Sequence, residues 1–444
     1  MSRTFRNILF WMHLVSGVIA GVVIAIMSFT GAAIAFKPQL LAWAESEVRR
    51  VQPPTPDAPR LPVDELVARV RAARPEGQPS GVTVYPEPGS TVMVSLGRTG
   101  VAYVNPYTGE VLAAGDGGWR GFFHVMEEWH RWLGAKGDNT PVGKAITGAC
   151  NAAFLFLGLS GLYLWWPRKW TWRTVRPSLW FRLNIRGKAR DWNWHNVIGF
   201  WCLPILVILT ASGMVISYRW ASNLIFTLAG EKPPAAQGPA APPSVTVPEP
   251  PAGAKPLGLD ALLARAQQQV PAHESVTLRL GGGGGGGRPQ GPQGAQGPQG
   301  AQGPRGEQGG QRGGGGPGGN EARAKGPQPV NFAIREQGGW PLFASAQLVF
   351  DPFTGEVLRR EGFSDYTPGR QMRTWMRFLH TGEALGWGGQ LVAAIASLGG
   401  VLLVWTGFAL SWRRFFPRRK PAASSSGAEP SAEPSGEAEG EAVG

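Results

Sequence analysis

Four stretches of this chain are apolar for long enough to cross the roughly 30 Å of a bilayer's hydrocarbon as helices. They run from Ile8 to Phe36, Val142 to Trp166, His195 to Trp220 and Gly388 to Trp412. The hydrophobic fraction of 43% is gathered in these stretches. The expected fold class is therefore membrane α-helical, with four transmembrane helices. Ala42-Trp43-Ala44 has the look of a leader-cleavage site, but the apolar run before it is far longer than the 7–15 residues or so of a signal core. The first span is expected to be retained. Two cysteines, Cys150 and Cys202, fall inside the second and third spans, so no disulfide framework is available and both read as packing residues.

The chain also says nearly the same thing twice. Asn105-Pro106-Tyr107-Thr108-Gly109-Glu110-Val111-Leu112 returns as Asp351-Pro352-Phe353-Thr354-Gly355-Glu356-Val357-Leu358, and each copy lies between two apolar segments. This predicts a duplicated unit of helix, domain, helix. Histidines follow the duplication. His13 opens the first apolar segment 18 positions before Gly31, and His195 opens the third 18 before Gly213. Eighteen residues are a whole number of helical turns, so each His shares a face with its Gly, about 27 Å further along. A second pair, His130 in Trp-His-Arg-Trp-Leu-Gly and His380 in Leu-His-Thr-Gly-Glu-Ala-Leu-Gly, follows each repeat motif.

Orientation follows from the basic residues. Arg3 and Arg6 precede the first span; Arg168, Lys169, Arg173, Arg176, Arg182, Arg186, Lys188 and Arg190 fill the loop between the second and third; Arg413, Arg414, Arg418, Arg419 and Lys420 follow the fourth. All lie on one side of a four-span topology, the cytoplasm by the positive-inside rule. Both termini are then cytoplasmic. The net charge of +13 reports topology and contact with anionic lipid, and no nucleic-acid partner is expected. Tryptophans 11, 165, 166, 170, 172, 192, 194 and 412 gather at the same boundary as an interfacial belt.

The expected organisation is a first transmembrane helix over 1–36, a periplasmic α+β domain over 37–120, an interfacial helix with the second transmembrane helix over 121–166, a basic cytoplasmic loop over 167–193 and a third transmembrane helix over 194–220. A second periplasmic α+β domain over 221–370, an interfacial helix with the fourth transmembrane helix over 371–414, and a disordered cytoplasmic tail over 415–444 complete it. Each external domain opens with an amphipathic helix, around Leu66 to Arg71 and around Leu262 to Gln267. Alternating strands follow at 81–85, 91–96 and 101–104, and again at 275–280, 330–335 and 346–350. Gly109 and Gly355 are expected at positive φ, where the chain reverses. Residues 281–328 carry a polyglycine run and then a glycine at every third position, a collagen-like composition that reads as a disordered external insert in a single chain.

The paired Pro-[Tyr/Phe]-Thr-Gly-Glu-Val-Leu turns, the Trp-His-Arg-Trp-Leu and Leu-His-Thr-Gly segments, and the Ser160-Gly161 and Thr406-Gly407 steps resemble the PepSY-associated transmembrane-helix family over most of residues 5 to 415. The resemblance implies that the two external parts are PepSY-like domains. It also implies similarity to haem-containing reductases of the bacterial inner membrane that act on ferric siderophores in the periplasm, other members being described only as iron-regulated membrane proteins. One branch of the family fuses a flavin and nicotinamide reductase domain to the helices. The residues after Trp412 leave no room for one, so electrons are expected from elsewhere.

Imidazole is a strong axial ligand for haem iron, and two imidazoles on one iron favour electron transfer over oxygen binding. Histidine in a span is costly without such a use. The expectation is two haem b groups as cofactors, one near each membrane face, with His13 and His195 as axial iron ligands at the cytoplasmic level and His130 and His380 at the external level. Taken singly, each reads as well as an interfacial histidine bonded to backbone or headgroup; the fourfold pattern carries the ligand reading. His124, six residues from His130, is surface, a hydrogen-bond partner or a substitute ligand, with surface preferred. His273 has no expected role. Glu127, Glu128 and Glu383 are read as a solvated face in preference to carboxylates orienting the imidazoles. The expected partners are the lipid bilayer, an electron donor on the cytoplasmic or quinol side, and a periplasmic ferric siderophore or other acceptor. The alternative is a non-enzymatic membrane-anchored module whose strand edges bind a periplasmic protein or peptide. No hydrolytic triad, Cys-x-x-Cys, His-Glu-x-x-His or phosphate-binding glycine loop is present.

Overall fold

The computed structural model describes residues 3–112, 118–167, 169–234, 245–250, 253–280 and 327–416. The Gly-rich insert, except for its last two residues, lies outside the described residues, as do the tail beyond 416 and Arg168, Arg418, Arg419 and Lys420. In chain order the helices are α1 (Arg3–Ile34), α2 (Lys37–Ala44), α3 (Val63–Ala73), α4 (Trp119–Trp132), α5 (Thr140–Trp165), α6 (Trp172–Leu179), α7 (Gly187–Ser217), α8 (Arg219–Leu228), α9 (Leu259–Gln269), α10 (Pro368–Thr381) and α11 (Gly386–Phe415). The strands are β1 (Gly81–Val84), β2 (Val92–Ser95), β3 (Val101–Val104), β4 (Val111–Leu112), β5 (His273–Arg279), β6 (Val330–Glu336), β7 (Ser345–Phe350) and β8 (Val357–Glu361).

Among the described residues four helices are long and apolar enough to cross a membrane: α1, α5 with the turn before it, α7, and α11 with the turn before it. α1 packs on α5 and α11, and α7 packs on the same two, so α1 and α7 stand on one diagonal of the bundle and α5 and α11 on the other. All four start before their apolar stretches, α1 and α7 by the most. α7 runs through Gly187 to Trp194 because its polar first turns are held by partners outside the span. Asp191, 2% exposed, accepts from Arg190 at 3.0 Å and from Arg413 of α11 at 3.0 Å. The Asn193 amide donates to Pro177 O at 2.6 Å, while its oxygen accepts from the Arg182 amide at 2.9 Å. His13 and His195 therefore sit well inside α1 and α7, where the sequence pattern had them opening their segments.

The segments expected to form two separate α+β domains join edge to edge instead. One antiparallel sheet runs in the order β4-β3-β2-β1-β5-β6-β7-β8, with β1 and β5 paired through Val82↔Leu278 and Thr83↔Thr277 at its centre. An isolated β1 or β5 edge of alternating Val and Thr would leave its N–H and C=O groups open, and pairing satisfies both rows. α3 and α9 cover one face, where Leu66, Val70, Leu262 and Ala266 pack on Val94, Ile334 and Phe350. These two helices cap each other: the Asp260 carboxylate accepts from the Val63 amide at 2.9 Å, and Asp64 accepts from the Leu259 amide at 2.8 Å. Such caps are each worth about 1 kcal/mol. Gly109 and Gly355 hold φ of 72° and 66° in the repeated turns, and Asn105 and Asp351 accept from the amides of Tyr107 and Phe353 at 2.9 and 2.7 Å.

The opposite face of the sheet looks toward the bundle through α4 and α10. Glu45, 6% exposed, accepts from Tyr103 of β3 at 2.8 Å, pairs with Arg49 at 2.8 Å, and also pairs with Arg120 in the first turn of α4. Near the other end of the sheet, Glu361 of β8 pairs with Arg370 of α10 at 2.6 Å and Arg359 at 2.9 Å. α4 and α10 are thus fixed to the sheet at their starts, and their last turns reach the spanning helices.

Candidate functional site

His130, in the last turn of α4, lies against α1. Its Nδ1 is 2.9 Å from Met27 O and 3.2 Å from Thr30 Oγ1. His380, in the last turn of α10, lies against α7 in the same way, with Nδ1 2.9 Å from Leu209 O and 3.2 Å from Ser212 Oγ. A carbonyl only accepts, so each Nδ1 carries the proton. The hydroxyls agree, since Thr30 donates to Ile26 O at 2.7 Å and Ser212 to Ile208 O at 2.6 Å, leaving their oxygens as acceptors. Each Nε2 then keeps its lone pair. Gly31 and Gly213 make room for the rings: a methyl on Gly31 would stand 3.2 Å from His130 Cε1, and one on Gly213 3.3 Å from His380 Cε1.

The two imidazoles meet with centroids 6.2 Å apart and planes at 54°. Burial pushes the His130 pKa down to about 4, helped by the His380 charge and opposed by the bond to Met27. Burial lowers that of His380 as well, with the Leu209 bond opposing and Arg131 adding to the fall. Both rings are neutral at pH 7, the form that binds a metal. Arg131 of α4 and Arg377 of α10 stand close by; burial lowers both guanidinium pKa values, while Glu127 opposes the fall at Arg131 and Glu383 at Arg377.

His13 and His195 lie deeper in the bundle, on the α1–α7 diagonal. Their Nδ1 atoms bond to the other diagonal: His13 to Ser160 Oγ of α5 at 2.8 Å, His195 to Thr406 Oγ1 of α11 at 2.9 Å. Thr406 donates to Leu402 O at 2.7 Å and Ser160 to Leu157 O at 3.3 Å, so both hydroxyls accept from imidazole and the free lone pair is again on Nε2. Gly161 and Gly407 leave space beside these rings, where methyls would lie 3.4 Å and 3.7 Å from Cε1. Both histidines line one cavity of about 1000 Å³ that runs from Arg3, Arg6 and Trp165 at the basic face up to Ile24, Phe154 and Thr210. From His13 to Met27 along α1 the rise is about 21 Å, which separates the two histidine levels.

Two imidazole nitrogens each about 2 Å from one metal, with ring centres roughly 1 Å further out, put the centroids about 6 Å apart. The His130–His380 pair has that separation. Among the described residues no group of three or more His, Cys, Asp or Glu converges. A metal held by His130 and His380 would need further ligands from a group other than these side chains. His124 stands apart from the pair, with its side chain 70% exposed and 3.3 Å from Glu128. His273 bonds Val270 O at 2.7 Å at the start of β5. Glu127 pairs with Lys37 at 2.7 Å and Glu128 with Lys136 at 3.6 Å, so both carboxylates are engaged with cations and not with an imidazole of either pair.

Sequence reasoning found the four histidines and the glycines at 31 and 213, but it placed each glycine on the face of the histidine in its own helix. The structure sets Gly31 beside His130 and Gly213 beside His380. It also missed the hydroxyls and carbonyls that fix the tautomers. Ser160 and Thr406 were visible in a repeated Ser/Thr-Gly step, and Thr30-Gly31 with Ser212-Gly213 is a second such step. The sequence model of a family described as PepSY-associated TM region matches residues 10–414. No curated protein matches the chain.

Proposed function

The chain belongs to the PepSY-associated transmembrane family, and from that premise we propose that it is a di-haem electron-transfer protein of the bacterial inner membrane. In this reading it is a duplicated helix-domain-helix unit whose external parts are PepSY-like. The observation that carries the proposal is the pairing of His130 and His380 at 6.2 Å, with both Nδ1 protons held by carbonyls of the spanning helices. His130 and His380 would hold one haem, His13 and His195 the other. Haem, when bound, supplies an iron that accepts and gives up one electron without needing a proton from the protein.

The residues around each pair do the rest. Carbonyl and hydroxyl acceptors fix the imidazole planes and raise the basicity of Nε2. Apolar side chains such as Phe408 and Leu203 keep water from the inner cavity. Arg3 and Arg6 at its mouth supply positive charge suited to the carboxylate edge of a tetrapyrrole. By the positive-inside rule the basic face is cytoplasmic, both termini lie there, and the sheet stands in the periplasm. Electrons enter at the cytoplasmic or quinol side and leave at the sheet side, to ferric iron held by a siderophore. Reduction weakens the hold of hard oxygen ligands on the metal and releases it for uptake.

The test is spectroscopic. Protein purified from haem-sufficient cells is expected to show a Soret band and, on reduction, sharp visible bands that are lost again when a ferric siderophore is added. A colourless preparation overturns the haem reading; a coloured one that a ferric siderophore leaves reduced overturns the acceptor.

A further inference from the structure

The hairpin connection between β6 and β7 carries Trp340-Pro341-Leu342-Phe343, whereas its counterpart between β2 and β3 turns over Leu96 to Gly100. Phe343 pins this loop to α10: it stacks on Phe378 with centroids 4.1 Å apart and planes at 5°, and meets Trp375 edge-on at 5.0 Å. Leu342 reaches the first residue of α11, since a methyl on Gly386 would lie 3.4 Å from Leu342 Cδ1. At the base of the loop Arg335 donates to Leu342 O at 3.3 Å and pairs with Glu274 at 2.6 Å. The loop is therefore held in place. Its tip is nonetheless open: Trp340 and Leu342 are 69% and 45% exposed, and Leu385 and Trp387 at the head of α11 are 64% and 71% exposed.

Depth explains the exposure. α11 has 30 residues, about 45 Å of helix against about 30 Å of hydrocarbon and 40–45 Å with the headgroups. Its first turns thus stand in the interfacial layer, and a side chain touching Gly386 stands there too. Leu391, Val392 and Ile395, further along α11, are exposed as well. Single exposed apolar side chains are ordinary, but four large ones brought to one level beside a spanning helix are not. Indole is suited to this layer, with an apolar body and one N–H donor.

We infer that the β6–β7 loop is a membrane-interface anchor: Trp340 and Leu342 enter the boundary between headgroups and acyl chains beside Trp387. The sheet is then tied to the bilayer by a contact that does not cross it. The corresponding β2–β3 loop, Leu96 to Gly100, is shorter and lacks aromatic residues. The tether therefore acts on the half of the sheet next to α10 and His380.

Nitroxide accessibility in full-length protein tests this. With Cys150 and Cys202 replaced by Ala, single labels are placed at Trp340→Cys, Leu342→Cys, Trp387→Cys and, as a distal control on α3, Glu65→Cys, in nanodiscs of phosphatidylethanolamine and phosphatidylglycerol. Labels at 340 and 342 are expected to collide more with dissolved oxygen than with a water-soluble nickel chelate, as the label at 387 does, while the label at 65 prefers the chelate. Two labels are used so that distortion by either substitution shows as disagreement with the other. Chelate preference at both positions places the loop in water and overturns the inference. Low access to both colliders means that protein covers the loop, and overturns it as well.

Discussion

Adding one methyl at Gly31 tests how closely the outer histidine pair is fitted. The new carbon would lie 3.2 Å from His130 Cε1 and 3.5 Å from Nδ1. Carbon atoms rest comfortably at about 3.5–4.0 Å, so the ring must retreat by a few tenths of an ångström from α1. The retreat stretches the 2.9 Å bond to Met27 O that sets the tautomer. Overpacking of this kind costs about 1–3 kcal/mol, or roughly 5- to 150-fold in retention of whatever the ring holds. Helix propensity works in the opposite direction, since Ala is better than Gly by up to about 1 kcal/mol. A loss is therefore not a helix defect.

Gly213→Ala is expected to behave like Gly31→Ala, because its methyl meets His380 Cε1 at 3.3 Å and Asn151 Nδ2 at 3.0 Å. Gly407→Ala is the matched control. There the methyl finds His195 Cε1 at 3.7 Å, an ordinary contact. The assay is haem per protein and the rate of haem transfer to excess apomyoglobin. Gly31→Ala and Gly213→Ala should release the outer haem faster, and Gly407→Ala should keep both at the wild-type rate. Equal losses from Gly407→Ala and Gly31→Ala, or no loss from Gly31→Ala, would show that ring clearance does not govern these sites.

Thr406→Val removes the hydroxyl acceptor at His195 and leaves the backbone acceptor of Leu403, so retention of the inner haem should weaken by about 10-fold, with Thr406→Ser restoring it; the same transfer assay reads both. Glu45→Gln leaves Arg49 and Arg120 without their shared carboxylate in a nearly closed site, so a loss of about 3–5 kcal/mol is expected, seen as a lower thermal midpoint. Burial raises the Tyr103 pKa above its usual value of 10. The folded protein then keeps a proton that the unfolded chain releases, so this contribution is intact below about pH 10 and falls as pH rises beyond it. Comparing thermal midpoints at pH 9 and pH 11 should show a smaller alkaline drop in Tyr103→Phe than in wild type.

The spans were legible because lipid leaves a helix few other solutions, and apolar length alone marks them. Their ends were not, because the first turns of α7 are polar and depend on Arg413, Pro177 and Arg182 from elsewhere in the chain. Six of the eight strands in the described residues could be read from alternation, but β4 and β8, which follow the repeated turns, were not. The meeting of β1 with β5 could not, since every strand edge offers the same row of donors and acceptors and only the fold decides which rows meet. The histidines stood out as rare residues in duplicate. Their orientation was hidden in Met27 O and Leu209 O, backbone groups that have no signature in sequence. Trp340 was equally silent, because its exposure has meaning only once Leu342 is seen against Gly386.

The pairing of the histidines across the two halves is the central claim, and haem stoichiometry in single substitutions tests it most directly. Wild-type protein should carry two haems. His130→Ala and His380→Ala should each lose the outer one and keep the inner, while His13→Ala and His195→Ala should do the reverse, the two classes being told apart by their reduction potentials. Loss of the same haem from His13→Ala and His130→Ala, or a full complement in His130→Ala, would contradict the account.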